Sequence, residues 1–267
     1  MRWDQDTLRA KVFHYVTCSF RGPVRLCPTT TDRVYISHGY EDDLRRLRVQ
    51  VIMMGGRVET LVGASVRALT QRDPGLARQT IESDRAVDQH EIAIDGLCRE
   101  ILELRQPVAS DVRFVTGALR LATDLERIAD LGVSISRSAL PLCAEAPLQP
   151  EVGFSRMAGE VESMLHEALD AFLAGDASKA EQVIARDQLV DNLSAQIFCE
   201  LFTHVAANAR CITQVLWMQS VAKYLERIGD HVTYLGELVV AMVRGEDICH
   251  GAKSGGSMRA VPYHERN

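Results

Sequence analysis

From about residue 41 onward, apolar residues recur every three or four positions and show no alternation of period two. That is the signature of helices packed on one face, and it runs almost without interruption. The clearest stretch lies near the C-terminus, where Met218, Val221, Leu225, Ile228, Val232, Leu235, Val239 and Met242 step by threes and fours. A seam of this spacing suits packing between near-antiparallel helices. Phe114, Ala118, Leu121, Leu125, Ile128, Gly132 and Ile135 form an earlier counterpart. Punctuation divides the pattern into six predicted helices. The first covers about 41–71. Asp73-Pro74 then reads as an N-cap followed by proline at the first helical position, opening a second helix to about 104. Gln106-Pro107 breaks it, and a third helix continues to about 139. A fourth covers about 151–174, where Gly175-Asp176 supplies a stop and a new N-cap. The fifth runs to about 205 and the sixth over about 208–244.

The plan is written twice. Leu125-Glu126-Arg127-Ile128-Ala129-Asp130 returns 100 positions later as Leu225-Glu226-Arg227-Ile228-Gly229-Asp230. Upstream, Asp84 and Asp88 return 103 positions later as Asp187 and Asp191, and the cap Asp73 returns as Asp176. The expected architecture is therefore all-α, two pseudo-symmetric three-helix bundles produced by internal duplication. The first occupies 41–140 and the second 151–244, joined by a linker bearing Pro141, Pro147 and Pro150. Residues 1–40 are basic, with six Arg or Lys against three Asp, and carry no sustained helical period. They are expected to be a disordered leader, or an upstream stretch set by the choice of start codon. Residues 245–267 are Gly/Ser-rich and expected to be a flexible tail.

Composition narrows the function. A net charge of -6 and 6% aromatic residues offer neither a basic footprint nor a stacking platform, so nucleic acid is not an expected partner. The seven cysteines are scattered and none falls in a C-x-x-C pair, which fits a reducing compartment better than a disulfide scaffold or a thiolate zinc site. No apolar run is long enough to cross a membrane, and the first twenty residues lack the apolar segment of a secretory signal. Phosphate-loop, zinc-protease and nucleophile-elbow motifs are missing. Gly55-Gly56 lies inside a predicted helix with no strand before it, and so marks close helix packing, with Met53-Met54 beside it as core or interface filling. Cys98 and Cys199 are expected within helices.

The doubled acids remain. Spacing of i, i+4 on a helix sets two carboxylates on one face, roughly 5–6 Å apart between Cβ atoms. Measured around the helix, Glu226 lies about 130° and Asp230 about 170° from the centre of its seam, and Asp84 and Asp88 about 90° and 130° from theirs. The acids thus sit on outward faces. Charged outward faces are ordinary, and one such pair alone means little. Like charges at this spacing nevertheless repel, and both halves keep them where neighbouring surface residues differ. A cation shared between two adjacent helices would remove the repulsion, and all-oxygen ligands favour Mg²⁺, Mn²⁺, Ca²⁺ or iron. His90 and His231 lie close by as lesser candidates.

Those residues, with Met54-Gly55, Val58-Glu59, Gln106-Pro107 and Asp111-Val112-Arg113, resemble the PhoU family of accessory proteins of the phosphate-specific transport system. The likeness spans about 41–244. It implies the same six-helix duplicated fold, and a cytoplasmic, non-enzymatic regulator that represses the phosphate-starvation response. It also implies contact with the ATPase subunit of the phosphate ABC transporter and with a phosphate-sensing histidine kinase, hence the membrane only through partners, and a homodimer. By the same resemblance, Asp84, Asp88, Glu126 and Asp130 in one half, and Asp187, Asp191, Glu226 and Asp230 in the other, would hold divalent or ferric ions (Fe, Mn, Mg or Zn), singly or in multinuclear clusters. Ala129 departs from the usual Gly, and on an outward turn its methyl would restrict a partner's approach. Two other readings stand beside this one: a metal-dependent hydrolase or phosphatase using the same carboxylates, and a helical scaffold whose acids only solvate its surface.

Overall fold

The structure is a computed structural model that describes residues 32–105, 107, 109–148 and 153–245. Among these residues there is no strand. The first repeat contains α1 (Asp32–Thr70), α2 (Pro74–Ser83), α3 (Arg85–Arg105) and α4 (Ala109–Ala144). The second contains α5 (Phe154–Ala174), α6 (Ala177–Ile184), α7 (Asp187–Ala207) and α8 (Ile212–Arg244), with a single 3₁₀ turn at Ala209–Cys211 before α8. Each bundle is three rods, with the middle rod in two pieces.

Four boundaries differ from the sequence expectation. The first helix starts at Asp32, nine residues ahead of the expected 41. The second rod breaks at Asp84 and its counterpart at Ala185-Arg186, where no Gly or Pro announces a break. The third helix continues through Pro141 to Ala144, because a proline in a last turn removes one ladder bond without ending the helix. The expected leader and tail fall, for residues 1–31 and 246–267, outside the described residues.

The caps sit where the repeat places them. Asp73 accepts from the backbone N–H groups of Gly75 and Leu76, and Asp176 from those of Ser178 and Lys179. Before each cap the chain turns through a left-handed residue, Arg72 at φ 54° and Gly175 at φ 64°. Both turns carry the same paired closing bonds: Arg72 N–H to Leu69 O and Asp73 N–H to Ala68 O, then Gly175 N–H to Phe172 O and Asp176 N–H to Ala171 O. Arginine tolerates the strained position because its guanidinium donates to the carbonyls of Leu142 and Glu145 at the end of α4.

The predicted seams are the core. Val221, Leu225, Ile228, Val232, Leu235 and Val239 are fully buried, as are Ala118, Leu121, Leu125, Ile128 and Ile135. Burial on α8 extends further, to Ala222, Gly229, Gly236, Leu238 and Val240, because α8 packs against α5, α6 and α7 and also against α4 of the other bundle. α1 likewise touches α5. Gly55 permits that contact, since a Cβ there would lie 2.8 Å from Leu169 Cδ1. Phe114 stacks on Phe172 across the same junction at 5.7 Å, with the Arg48 guanidinium 5.0 Å from the Phe114 ring centre. Polar links join the halves as well. The Glu59 carboxylate, nine-tenths buried, accepts from His166 Nδ1 at 3.0 Å. Asp124 accepts from His231 Nδ1 at 3.0 Å, and Arg113 Nε donates to Met242 O at 3.1 Å.

Two glycines of opposite surroundings test this packing. At Gly236 a Cβ would meet Ile184 Cγ1 at 2.9 Å and Ala180 O at 3.1 Å. Gly236→Ala should therefore lose about 1–3 kcal/mol in urea unfolding through overpacking. Gly96 is exposed within α3 with nothing within 4 Å of that position. Gly96→Ala should gain about 0.5–1 kcal/mol from helix propensity in the same assay.

Candidate functional site

The break in each middle rod positions the upstream acids. Asp84 stands between α2 and α3, and its carbonyl accepts the N–H groups of Val87 and Asp88 at 2.7 and 3.2 Å, opening the next helix. Asp88 is in the first turn of α3, and Asp187 in the first turn of α7. The unpaired N–H groups of a first turn favour carboxylates there, a local reason for these acids that requires no ligand. Glu126 and Asp130 lie mid-helix on α4, Glu226 and Asp230 on α8, where no such reason applies.

Buried neighbours hold each set at the rim of its bundle. Val87, Leu125 and Ile128 in one half, and Val190, Leu225 and Ile228 in the other, belong to the core. The acids one residue away from them emerge at the edge. Their exposure repeats in detail: Asp84, Glu126, Asp187 and Glu226 are half-buried, while Asp88, Asp130, Asp191 and Asp230 are exposed. Acids from the middle rod and the third rod thus meet at one groove in each bundle, and their mutual effects show it. Burial, then Asp130, Glu91, Asp88 and Asp84 together push the Glu126 carboxyl up from 4.5 to about 6. Burial, Asp88 and Asp130 raise Asp84, against an opposing effect of Arg137. In the second groove burial, Asp187 and Glu226 raise Asp191, with Lys223 opposing. Burial, Asp187, Asp191 and Glu226 raise Asp230, with His231 opposing.

Glu226 behaves differently. Burial would raise it, but hydrogen bonds from Lys223 and Ser194 outweigh burial and hold its carboxyl below the ordinary value. Lys223 Nζ lies 2.8 and 2.9 Å from the two carboxylate oxygens, and Ser194 Oγ 2.5 Å from Oε2. Thr233 Oγ1 donates to Asp187 Oδ1 at 2.9 Å. The sequence reading missed Glu91, Ser194, Lys223 and Thr233. Glu91 carried a signal, because it follows Asp84 and Asp88 along one helix face at i+7 and i+3.

The lesser candidates have other partners. Arg57 Nε donates to His90 Nε2 at 2.9 Å, which leaves Nδ1–H to donate to Gln50 Oε1 at 2.9 Å. Burial and then Arg57 lower the His90 imidazole. His231 spends Nδ1 on Asp124. Cys98 is buried in α3 with its thiol pushed up to about 12, first by burial, and Cys199 is exposed on α7. Ala129 corrects an expectation. Its methyl is wholly buried within the bundle and so faces no partner. The counterpart Gly229 shows why the position matters, since a Cβ there would come 3.1 Å from Val190 Cγ1, the contact that sets how closely α7 approaches α8.

The donor chemistry of both grooves is that of a hard-cation site, carboxylate oxygens delivered from two helices. Among the described residues, however, no three His, Cys, Asp or Glu side chains are gathered closely enough to hold a metal ion as they are placed. The acids share a groove and a field without closing a coordination sphere. Occupancy would require side-chain rotation, which the exposed Asp88 and Asp130 are free to undergo.

Comparison with known proteins agrees with the duplicated architecture. A family model for the PhoU domain matches residues 51–139 and again 154–239. The phosphate-specific transport system accessory protein PhoU homolog of Pseudomonas putida is 38% identical over 217 residues, 81% of this chain and 85% of that protein. The accessory protein PhoU of Escherichia coli (strain K12) is 34% identical over 216 residues, 81% of this chain and 90% of that one. The crystal structure of PhoU from Pseudomonas aeruginosa superimposes with a TM-score of 0.74 at 38% identity, covering 78% of this chain and 100% of its own. The phosphate transport system regulatory protein PhoU from Streptococcus pneumoniae gives 0.72 at 26% identity, covering 78% and 98%. No helix among the described residues is long and apolar enough to cross a membrane. Two tandem matches over the two bundles, and relatives aligned over most of both lengths, lead to one conclusion: this chain belongs to the PhoU family.

Proposed function

We propose that this chain is a cytoplasmic, non-enzymatic regulator of phosphate uptake that damps the phosphate-starvation response when phosphate is plentiful. The observation that carries the reading is the doubled carboxylate groove within a fold whose relatives are named accessory proteins of phosphate transport. Its clients are the ATPase subunit of the phosphate ABC transporter and a phosphate-sensing histidine kinase, and it meets them as a homodimer at the membrane's inner face. Asp84, Asp88, Glu126 and Asp130 would hold divalent or ferric metal in one bundle, and Asp187, Asp191, Glu226 and Asp230 in the other. A cation held by these residues would supply positive charge against the repulsion of their carboxylates. The chain's own part is to bring opposed carboxylates to one groove on a rigid core, so that the surface offered to a partner depends on whether their repulsion is relieved.

The test of the regulatory reading is co-purification of the transporter ATPase and the kinase with this chain at high and low phosphate. Phosphate-dependent capture of either is expected, and capture of neither under both conditions would remove it. In a deletion strain, starvation-promoter activity should stay high at high phosphate until the gene is restored. A strain in which deletion leaves repression intact would likewise count against it.

Two solution measurements check the groove. Mn²⁺ at about a hundred times its Kd should stabilise metal-stripped protein by about 2.7 kcal/mol for each site filled, on the order of 5–10 °C in Tm. A melting temperature unmoved by Mn²⁺, Zn²⁺ and Fe would favour the scaffold reading. The second measurement follows from Glu126. Below its ordinary 4.5, folded and unfolded chains both carry the proton and this group contributes nothing. Between 4.5 and about 6 the folded chain retains a proton that the unfolded chain releases, so stability falls as pH rises through that window. Glu126→Gln should therefore raise the Tm of metal-stripped protein at pH 8, with the gain vanishing near pH 4.

A further inference from the structure

The groove between α7 and α8 does not end with its acids. Two hydrogen bonds fix the register of this antiparallel pair, Ser194 Oγ to Glu226 Oε2 at 2.5 Å and Thr233 Oγ1 to Asp187 Oδ1 at 2.9 Å. Followed in steps of three and four, the groove side of α7 carries Asp187, Asp191, Ser194, Phe198 and Phe202. That of α8, read the opposite way, carries Asp230, Glu226, Lys223, Gln219, Leu216 and Ile212. Acids therefore line one end and apolar side chains the other, over about 27 Å of helix. At the apolar end Phe198 is 54% exposed, Phe202 64%, Leu216 61% and Ile212 50%. Gln219 lies between the two ends, and its Oε1 is buried with no hydrogen-bond partner among the described residues. Counting by the repeat, the first half has the Asp95–Arg99 ion pair in place of the two phenylalanines, and Val112 and Thr116 in place of Ile212 and Leu216. Both halves match the same domain, so the bundle itself does not require four large apolar side chains in water.

We propose that this groove docks a basic amphipathic helix of a partner protein, its large apolar side chains seated on Phe198, Phe202, Leu216 and Ile212 and its lysines or arginines over Asp187, Asp191 and Asp230. The contact is a helix laid into the furrow between two others, with anchors one turn apart. Burial of the apolar end supplies the affinity, and the acids fix the direction in which the helix lies. Lys223 is already held by Glu226, which leaves the three aspartates to be matched by the occupant. Charge also decides between occupants. An acidic amphipathic helix brings the same anchors and is repelled. A second copy of this chain, meeting the face isologously, sets an acid-bearing surface against its own like. An anionic membrane surface repels the same aspartates. A donor on the occupant would satisfy the Gln219 carbonyl oxygen once that side chain turns toward the groove. Docking here depends on neither a bound metal nor the identity of the clients.

The experiment is fluorescence anisotropy of a labelled helical peptide titrated with the full-length protein, with circular dichroism checking that each variant folds. The peptide has about 18 residues, leucine at i, i+3, i+4 and i+7 and lysine elsewhere, and its control carries glutamate in place of lysine. The lysine peptide should bind saturably and more weakly as salt rises, and the glutamate peptide should not bind. Phe198→Ser with Phe202→Ser should weaken binding by about tenfold or more. Asp191→Asn with Asp230→Asn should weaken it and flatten its salt dependence. Ile92→Ser with Leu104→Ser, which removes exposed apolar side chains from the first half, should leave it unchanged. No saturable binding, equal binding of the glutamate peptide, or binding indifferent to the phenylalanine pair overturns the proposal. Self-association in sedimentation, or binding to phosphatidylserine vesicles, that the phenylalanine variant abolishes would assign the face to a second copy or to lipid and overturn it likewise.

Discussion

The pairing of α4 with α8 governs the rest of this structure. Each carries the apolar seam of its repeat, and each is buried from two sides, by its own bundle and by the other. A helix buried on one stripe can keep the alternating period of an amphipathic rod, whereas one buried from two sides needs small residues where neighbours approach. Gly132 against Leu61 and Gly236 against Ile184 meet that need. The same tight core confines the acids. Leu125 and Ile128 are locked inward, so Glu126 has nowhere to go but the rim beside α3, and Leu225 and Ile228 impose the same on Glu226.

Repulsion at the rim is thus a consequence of packing. A carboxylate pair on a free helix could splay into water at small cost. Here the partly buried members, Asp84 and Glu126, lose some of that solvation while facing further acids across the groove, and Glu126 is shifted furthest. The two halves relieve this differently. The second half recruits a lysine and two hydroxyls from its own chain, while in the first half Arg137 opposes the rise of Asp84. The exposed apolar side chains Phe198, Phe202, Leu216 and Trp217 also belong to the second half alone, where the first half has the exposed Asp95–Arg99 ion pair and Thr116 and Gly117.

The repeat, the caps and the seams were legible in the chain because each is a local pattern. Asp73 and Asp176 cap helices from within three residues, and the spacing of Leu225, Ile228 and Val232 needs nothing beyond the helix itself to name its buried side. The grouping of the eight acids into two grooves was legible only as an expectation of which rods lie side by side. The breaks at Asp84 and Arg186 were not legible, since neither Gly nor Pro marks them and both halves read as continuous helix. The place of Ala129 was misjudged for a related reason. Angle arithmetic on one helix locates the face turned to its own seam, while the burial of Ala129 is set by how the helices of the bundle pack together.

The sequence by itself thus determined an all-helical chain, its doubling and the faces its carboxylates occupy. Those follow from periodicity and spacing, which act along one helix. Tertiary structure alone decided that His90 belongs to Arg57 and Gln50, that His231 and His166 tie one bundle to the other, and that Lys223 closes on Glu226. These depend on which helices meet and at what distance. Charge and hydrogen bonding act through space over a few ångströms, and residues far apart along the chain enter that range only once the core has packed.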